Sequence, residues 1–224
     1  MLCNDDLRRR IRANLATFQP QHAGDEDIRR AAVAVIVSDT GHGADLPGLP
    51  HHDVWDGMAA LLLTRRSALL RSHPGQWALP GGTLDPGESI VETALREMHE
   101  EISVALPESA VLGRLDDFVT RSGFVMSPVV VWGGPSLDTC PNPQEVASVH
   151  RIPISEFLRE DAPRLEPDDD EAAGVAQAPI LRMPVGTEFI AAPTAAILYQ
   201  FREVCLLGRP TRVAHYEQPR FAWS

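Results

Sequence analysis

The chain has 224 residues, 31 acidic against 20 basic side chains, a net charge of −11 and 44% apolar content. That length and apolar share suffice for one domain with a sizeable core, and the acidic balance excludes a general nucleic-acid or membrane-surface binder. An anionic substrate must be met by local positive charge or by metal, and every basic residue is Arg, the side chain suited to bidentate phosphate contacts.

Residues 4–18 read as an amphipathic helix in which Leu7, Ile11 and Leu15 repeat every four residues and Arg8, Arg9, Arg10 and Arg12 form a solvated face. Residues 19–29 read as loop, so that 1–28 form a helix and linker ahead of a domain over 29–224. No apolar h-region follows Asn4-Asp5-Asp6, so no signal peptide is expected. The odd, widely spaced Cys3, Cys140 and Cys205 form neither a metal motif nor a disulfide framework, which fits a cytoplasmic protein. Ala31–Val37 predicts a strand buried on both faces. The Gly-, His-, Pro- and Asp-rich stretch 39–56 reads as a loop, with no role for His42, His51 or His52. Gly57–Thr64 is a second strand, and it delivers Arg65, Arg66 and Arg71 into a loop. Arg65 reads as a surface ion pair and Trp77 as a core residue of a short strand.

Asp85-Pro86-Gly87 is turn chemistry. Ser89 and Glu92 have capping-box spacing, so a helix starts at Ser89. At about 100° per residue its apolar face is Val91, Ala94, Leu95, Met98 and Ile102. Glu97, Glu100 and Glu101 cluster opposite, with Arg96 beside them. Like charges at i,i+4, such as Glu97 and Glu101, repel, and a hard divalent cation with oxygen ligands relieves that. Strands follow over 110–120 and 124–132 around Arg121-Ser122-Gly123, and another runs from Val146 to Ile152. Pro153–Leu158 reads as a short helix and 159–178 as a solvated acidic insertion. Residues 179–190 offer strand material, and 192–207 form a closing helix stopped by Gly208 and Pro210. The aromatics Tyr216, Phe221 and Trp223 imply that the tail docks on this chain or on a second copy, as in a homodimer.

Gly82, Glu88 and Arg96-Glu97-Met98-His99-Glu100-Glu101 resemble the Nudix hydrolase signature G-x5-E-x7-R-E-U-x-E-E-x-G-U, with U a bulky aliphatic. Ser103 stands at the last glycine and Val104 fits the final aliphatic. A glycine there suits a left-handed helix end, a conformation that costs serine roughly 1–2 kcal/mol. Upstream, Leu62, Leu63, Thr64, Arg66, Ser67, Arg71, Gly75, Pro80, Gly81 and Gly82 resemble the extra motif of the coenzyme A diphosphatase branch, L-L-T-x-R-[SA]-x3-R-x3-G-x3-F-P-G-G, with Leu79 replacing phenylalanine. Together the motifs span about residues 62–104, a fifth of the chain.

The resemblance implies an α/β fold, a mixed sheet between helices. It also implies Mg²⁺- or Mn²⁺-dependent hydrolysis of coenzyme A or its acyl derivatives to adenosine 3′,5′-bisphosphate and 4′-phosphopantetheine. It implies that Glu97, Glu100, Glu101 and the Gly81 carbonyl bind metal, that Arg96 holds a carboxylate, and that Arg66, Ser67 and Arg71 meet substrate. Glu145 is the candidate loop glutamate; it, or one of the helix glutamates, orients or deprotonates the water. Two other readings stand beside this one. The first is a Nudix pyrophosphatase for ADP-ribose or nucleotide sugars. The second is a Nudix-like binding module without turnover, against which the full set of glutamates argues.

Overall fold

The computed structural model describes residues 1–24, 29–166, 180–216 and 218. In order these form α1 (Asp5–Thr17), β1 (Arg29–Gly43), β2 (His51–Arg66), β3 (Trp77–Ala78), β4 (Gly81–Thr83) and α2 (Ile90–Ile102). Then come a 3₁₀ turn (Glu108–Ala110), β5 (Val111–Arg114), β6 (Phe118–Val119), β7 (Phe124–Gly134), β8 (Val146–Pro153) and α3 (Ile154–Phe157). The last elements are β9 (Arg164–Glu166), β10 (Ile180–Val185), β11 (Glu188–Ala191), α4 (Thr194–Phe201) and a π-helical turn (Arg202–Leu206).

Among the described residues, eight strands make one mixed sheet with the path β3-β2-β1-β7-β5. Beside this path, β4 pairs with β1, β6 with β7, and β8 with β2. β1 and β7 run parallel and the other pairs antiparallel. The alternation of β1 separates two cores. Ala32, Ala34 and Ile36 face α2 through Ala94, Met98 and Ile102. Val33, Val35 and Val37 belong with Leu7, Ile11 and Leu15 of α1 and with Phe201 of α4. The central strand is therefore apolar on both faces, as its sequence predicts. Each such large side chain contributes roughly 1.5–3 kcal/mol on burial.

The expected loop over 39–56 is largely strand. β1 continues to Gly43 and β2 begins at His51, with pairs Asp39↔Ala59, Gly41↔Asp56 and Gly43↔His51 interrupted by register shifts. Gly41 and Gly43 sit at φ 55° and 110°, the backbone that a bulge requires. Polar residues suffice here because backbone pairing makes the ribbon and Trp55 packs across it, donating to Asp39 at 2.9 Å with Arg151 above its ring. Among its described residues, the acidic stretch holds the strand β9, which joins β10 and β11 in a second, antiparallel sheet; residues 167–179 lie outside the described residues. In the tail, Tyr216 packs edge-on to Tyr199 at 6.2 Å, whereas Phe221 and Trp223 also lie outside the described residues. No described helix is long and apolar enough to cross a membrane.

Candidate active site

The helix α2 is built as its sequence predicts. Ser89 accepts from the Glu92 N–H while Glu92 accepts from the Ser89 N–H, closing the capping box, worth about 1 kcal/mol. Its far end is Ser103 in the left-handed region, φ 58° and ψ 26°. There the Ser103 hydroxyl donates to the Cys140 carbonyl at 3.0 Å, which partly offsets the strain of a residue other than glycine.

That contact is one of several stitching the 138–146 loop onto the helix terminus. The N–H groups of Cys140 and Asn142 donate to the carbonyls of Ile102 and Glu101, filling acceptors that a helix end leaves open. Asn142 then accepts from the Glu145 N–H, and the Glu145 carbonyl accepts from the Ser67 N–H at 2.8 Å. Glu145 is thereby fixed between the end of β2 and the end of α2. Its charge acts on both Glu97 and Glu101.

Gly81 and Gly82 bring β4 against β1 and α2. A Cβ on Gly81 would lie 2.3 Å from the Ala32 carbonyl oxygen, and one on Gly82 would lie 2.4 Å from the Glu97 carboxylate. Glu97 thus presses directly on this backbone. Glu101 is only 7% exposed. Burial, then the charge of Glu97, push its carboxyl up to about 8; Glu145 adds to this, while Arg66 and a Gly81 N–H oppose it. Burial also raises Glu97, against the pull of Arg96.

Arg96 is the hub of the outer layer. It donates to Glu88 at 2.7 and 3.0 Å, to Glu97 at 2.8 Å, to Glu100 at 3.0 Å and to the Thr83 carbonyl at 3.1 Å. Arg96, then the Asp85 N–H, hold the Glu88 carboxyl down near about 2. Glu88 also accepts from the Thr93 hydroxyl, so it ties the turn to the helix. Glu100 is exposed and drawn toward Arg96.

Of the residues expected at the substrate, Arg66 lines a cleft of about 560 Å³ beside Gly81 and Gly82. Ser67 is buried; its hydroxyl donates to the Pro143 carbonyl at 3.0 Å, so it anchors the Glu145 loop rather than facing the cleft. Arg71 is exposed on the loop after β2, outside the cleft lining. The cleft also takes Arg29, Phe124, Met126, Pro193 and Thr194, none of which the sequence had singled out. Arg29 stacks over the Phe124 ring at 4.1 Å. These residues come from three distant segments with no shared motif.

Among the described residues, no three acidic, histidine or cysteine side chains converge into a finished cation cage. The donors nevertheless suit a hard cation. Glu97, Glu101 and Glu145 are all oxygen donors that repel one another, and Mg²⁺ commonly takes one or two carboxylates, completing its shell with water and substrate phosphate.

The NUDIX domain profile matches residues 50–176. The chain is 48% identical over 99 residues to the Nudix hydrolase NudL of Photorhabdus laumondii, covering 44% of this chain and 53% of that protein. It is 40% identical over 108 residues to Nudix hydrolase 3 of Caenorhabditis elegans, covering 46% of this chain and 45% of that one. The chain spans about half the length of these curated relatives. A MutT/nudix family protein from Enterococcus faecalis superposes with a TM-score of 0.51 at 17% identity, over 81% of this chain and 64% of that one. That likeness bears on the fold alone, whereas the profile spans more than half of the residues: the chain belongs to the Nudix family.

Proposed function

We propose that this chain hydrolyses the diphosphate linkage of coenzyme A or its acyl derivatives, releasing adenosine 3′,5′-bisphosphate and 4′-phosphopantetheine. The observation that carries the reading is the junction of Gly81-Gly82 with Glu97, Glu101 and Glu145 at the edge of an Arg-lined cleft. Phosphoanhydrides resist water because their negative charge repels it. A divalent cation bound here, Mg²⁺ or Mn²⁺, would neutralise that charge and acidify bound water.

The chain's own residues do the rest. Glu97 and Glu101, with the Gly81 carbonyl, would hold the cation, and Glu100 stands by on the solvent side of Arg96. Glu101 and Glu145 are placed to orient the attacking water or take its proton. Arg96 keeps Glu97 and Glu88 in register through its forked donors. Arg66, in the cleft lining, meets the phosphates, and Arg71, exposed on the loop after β2, adds charge. Phe124 and Met126 with Arg29 give the nucleoside half a flat, partly cationic wall.

The test is product identification by mass spectrometry from coenzyme A and from ADP-ribose, each with Mg²⁺, with Mn²⁺ and with chelator. The reading expects metal-dependent formation of 4′-phosphopantetheine at a kcat/KM well above that for ADP-ribose. Preference for ADP-ribose would overturn the substrate, and absence of turnover on any diphosphate would overturn the activity.

A further inference from the structure

The cleft does not end at the phosphate site. A second recess of about 230 Å³ lies beside it, and the two share the lining residues Gln76, Trp77, Pro193 and Thr194. Sites that hold a whole small molecule run from about 300 Å³ upward. The annex is below that range, so it suits one arm of a ligand anchored elsewhere.

The annex also differs from the cleft in charge. Its one cationic side chain, Arg65, is already satisfied: it pairs with Glu188, lies 3.8 Å over the Trp77 ring and donates to the Gly75 carbonyl at 3.1 Å. Of the other lining residues, Phe189, Ala191, Ala192 and Pro193 are apolar or small, and Gln76 and Thr194 are polar but uncharged. In the cleft, by contrast, the Arg66 guanidinium donates to the Ser72 carbonyl, at 3.4 Å, and pairs with no carboxylate among the described residues. A phosphate is drawn to the cleft, whereas a neutral arm brings no charge into the annex, where the polar Gln76 and Thr194 stand in the lining to meet its amides.

We propose that the annex receives the neutral, amide-bearing arm of the substrate, with β11 and the turn into α4 forming the wall that selects it. This rests on the coenzyme A reading above and extends it: the motif residues hold the diphosphate, and the segment Glu188–Thr194, beyond the residues the family profile matches, reads what is attached.

The experiment is product inhibition of coenzyme A hydrolysis, using 4′-phosphopantetheine and adenosine 3′,5′-bisphosphate as separate inhibitors. Ala191→Phe fills the annex from a half-buried strand position; Phe189→Ala trims its exposed rim and provides a second, structurally mild variant. The inhibition constant of 4′-phosphopantetheine is expected to rise about tenfold in the first and about threefold in the second, with that of the bisphosphate shifting less than about twofold. Equal shifts for both inhibitors, or no shift in either variant, would overturn the annex while leaving the coenzyme A reading intact. A wild-type enzyme that leaves coenzyme A uncleaved would overturn both.

Discussion

Gly82→Ala separates chemistry from folding. The added Cβ would stand 2.4 Å from Glu97 Oε1 and 2.5 Å from its Cδ, whereas ordinary contact begins near 3.4 Å. The carboxylate must therefore retreat by about 1 Å, a displacement that lowers rates on the order of 10²-fold when it falls on a catalytic group. Gly82 is not at positive φ, and the clash is with the free end of a side chain, so stability should change by less than about 1 kcal/mol. Gly81→Ala is the contrast. Its Cβ meets the Ala32 carbonyl and the Val33 Cα at 2.3 and 2.7 Å, backbone that cannot swing aside, and this variant should melt far lower or fail to fold. The assay is kcat by chromatography of released nucleotide, alongside a circular-dichroism melt. If Gly82→Ala keeps kcat within about threefold of wild type, Glu97 is not held against this backbone for catalysis.

Further outcomes follow from the same geometry. Glu101→Gln should lower kcat by orders of magnitude with the fold retained; turnover like wild type would remove Glu101 from the mechanism. The same variant has a pH signature without divalent cation. The Glu101 carboxyl titrates near 8 when folded against an ordinary 4.5, so between those values the folded state binds the extra proton. Stability from this group is then lost as pH rises through that window and is constant above it. With chelator present, the melting temperature of Glu101→Gln should gain on wild type from about pH 5 to about pH 8, and parallel curves would refute the raised carboxyl. Arg96→Lys should not restore what Arg96→Ala loses in kcat, because an ammonium cannot reproduce the fork to Glu88, Glu97 and Glu100; full rescue would reduce Arg96 to a point charge. Ser103→Gly should raise stability by about 1 kcal/mol, relief of left-handed strain exceeding one exposed hydrogen bond, and a loss in denaturant titration would reverse that ranking.

The helix α2 was legible because its signals are local. The capping box, the apolar face and the left-handed terminus all lie within the 15 residues Ser89–Ser103. β1 was legible as far as its apolar run continued. Beyond Val37 the strand is carried by backbone pairing among polar residues and by a Trp55 contact from across the ribbon, for which hydropathy has no signal. The glutamate spacing placed three carboxylates on one helix and treated them alike. Only the fold separates buried Glu101 from Glu100 at the solvent side of Arg96. Glu145 was a candidate by resemblance; what puts its charge on Glu97 and Glu101 is the stitching of its loop to the end of α2. The cleft walls Arg29, Phe124 and Pro193 are far apart in the chain and converge only through the sheet order.

The most direct test of the central claim is manganese anomalous scattering from crystals of the wild-type protein and of Glu101→Gln. The account predicts a peak bordered by the Glu97 and Glu101 carboxylates and the Gly81 carbonyl, weakened or lost in the variant. A peak elsewhere, or one that Glu101→Gln leaves unchanged, would contradict it.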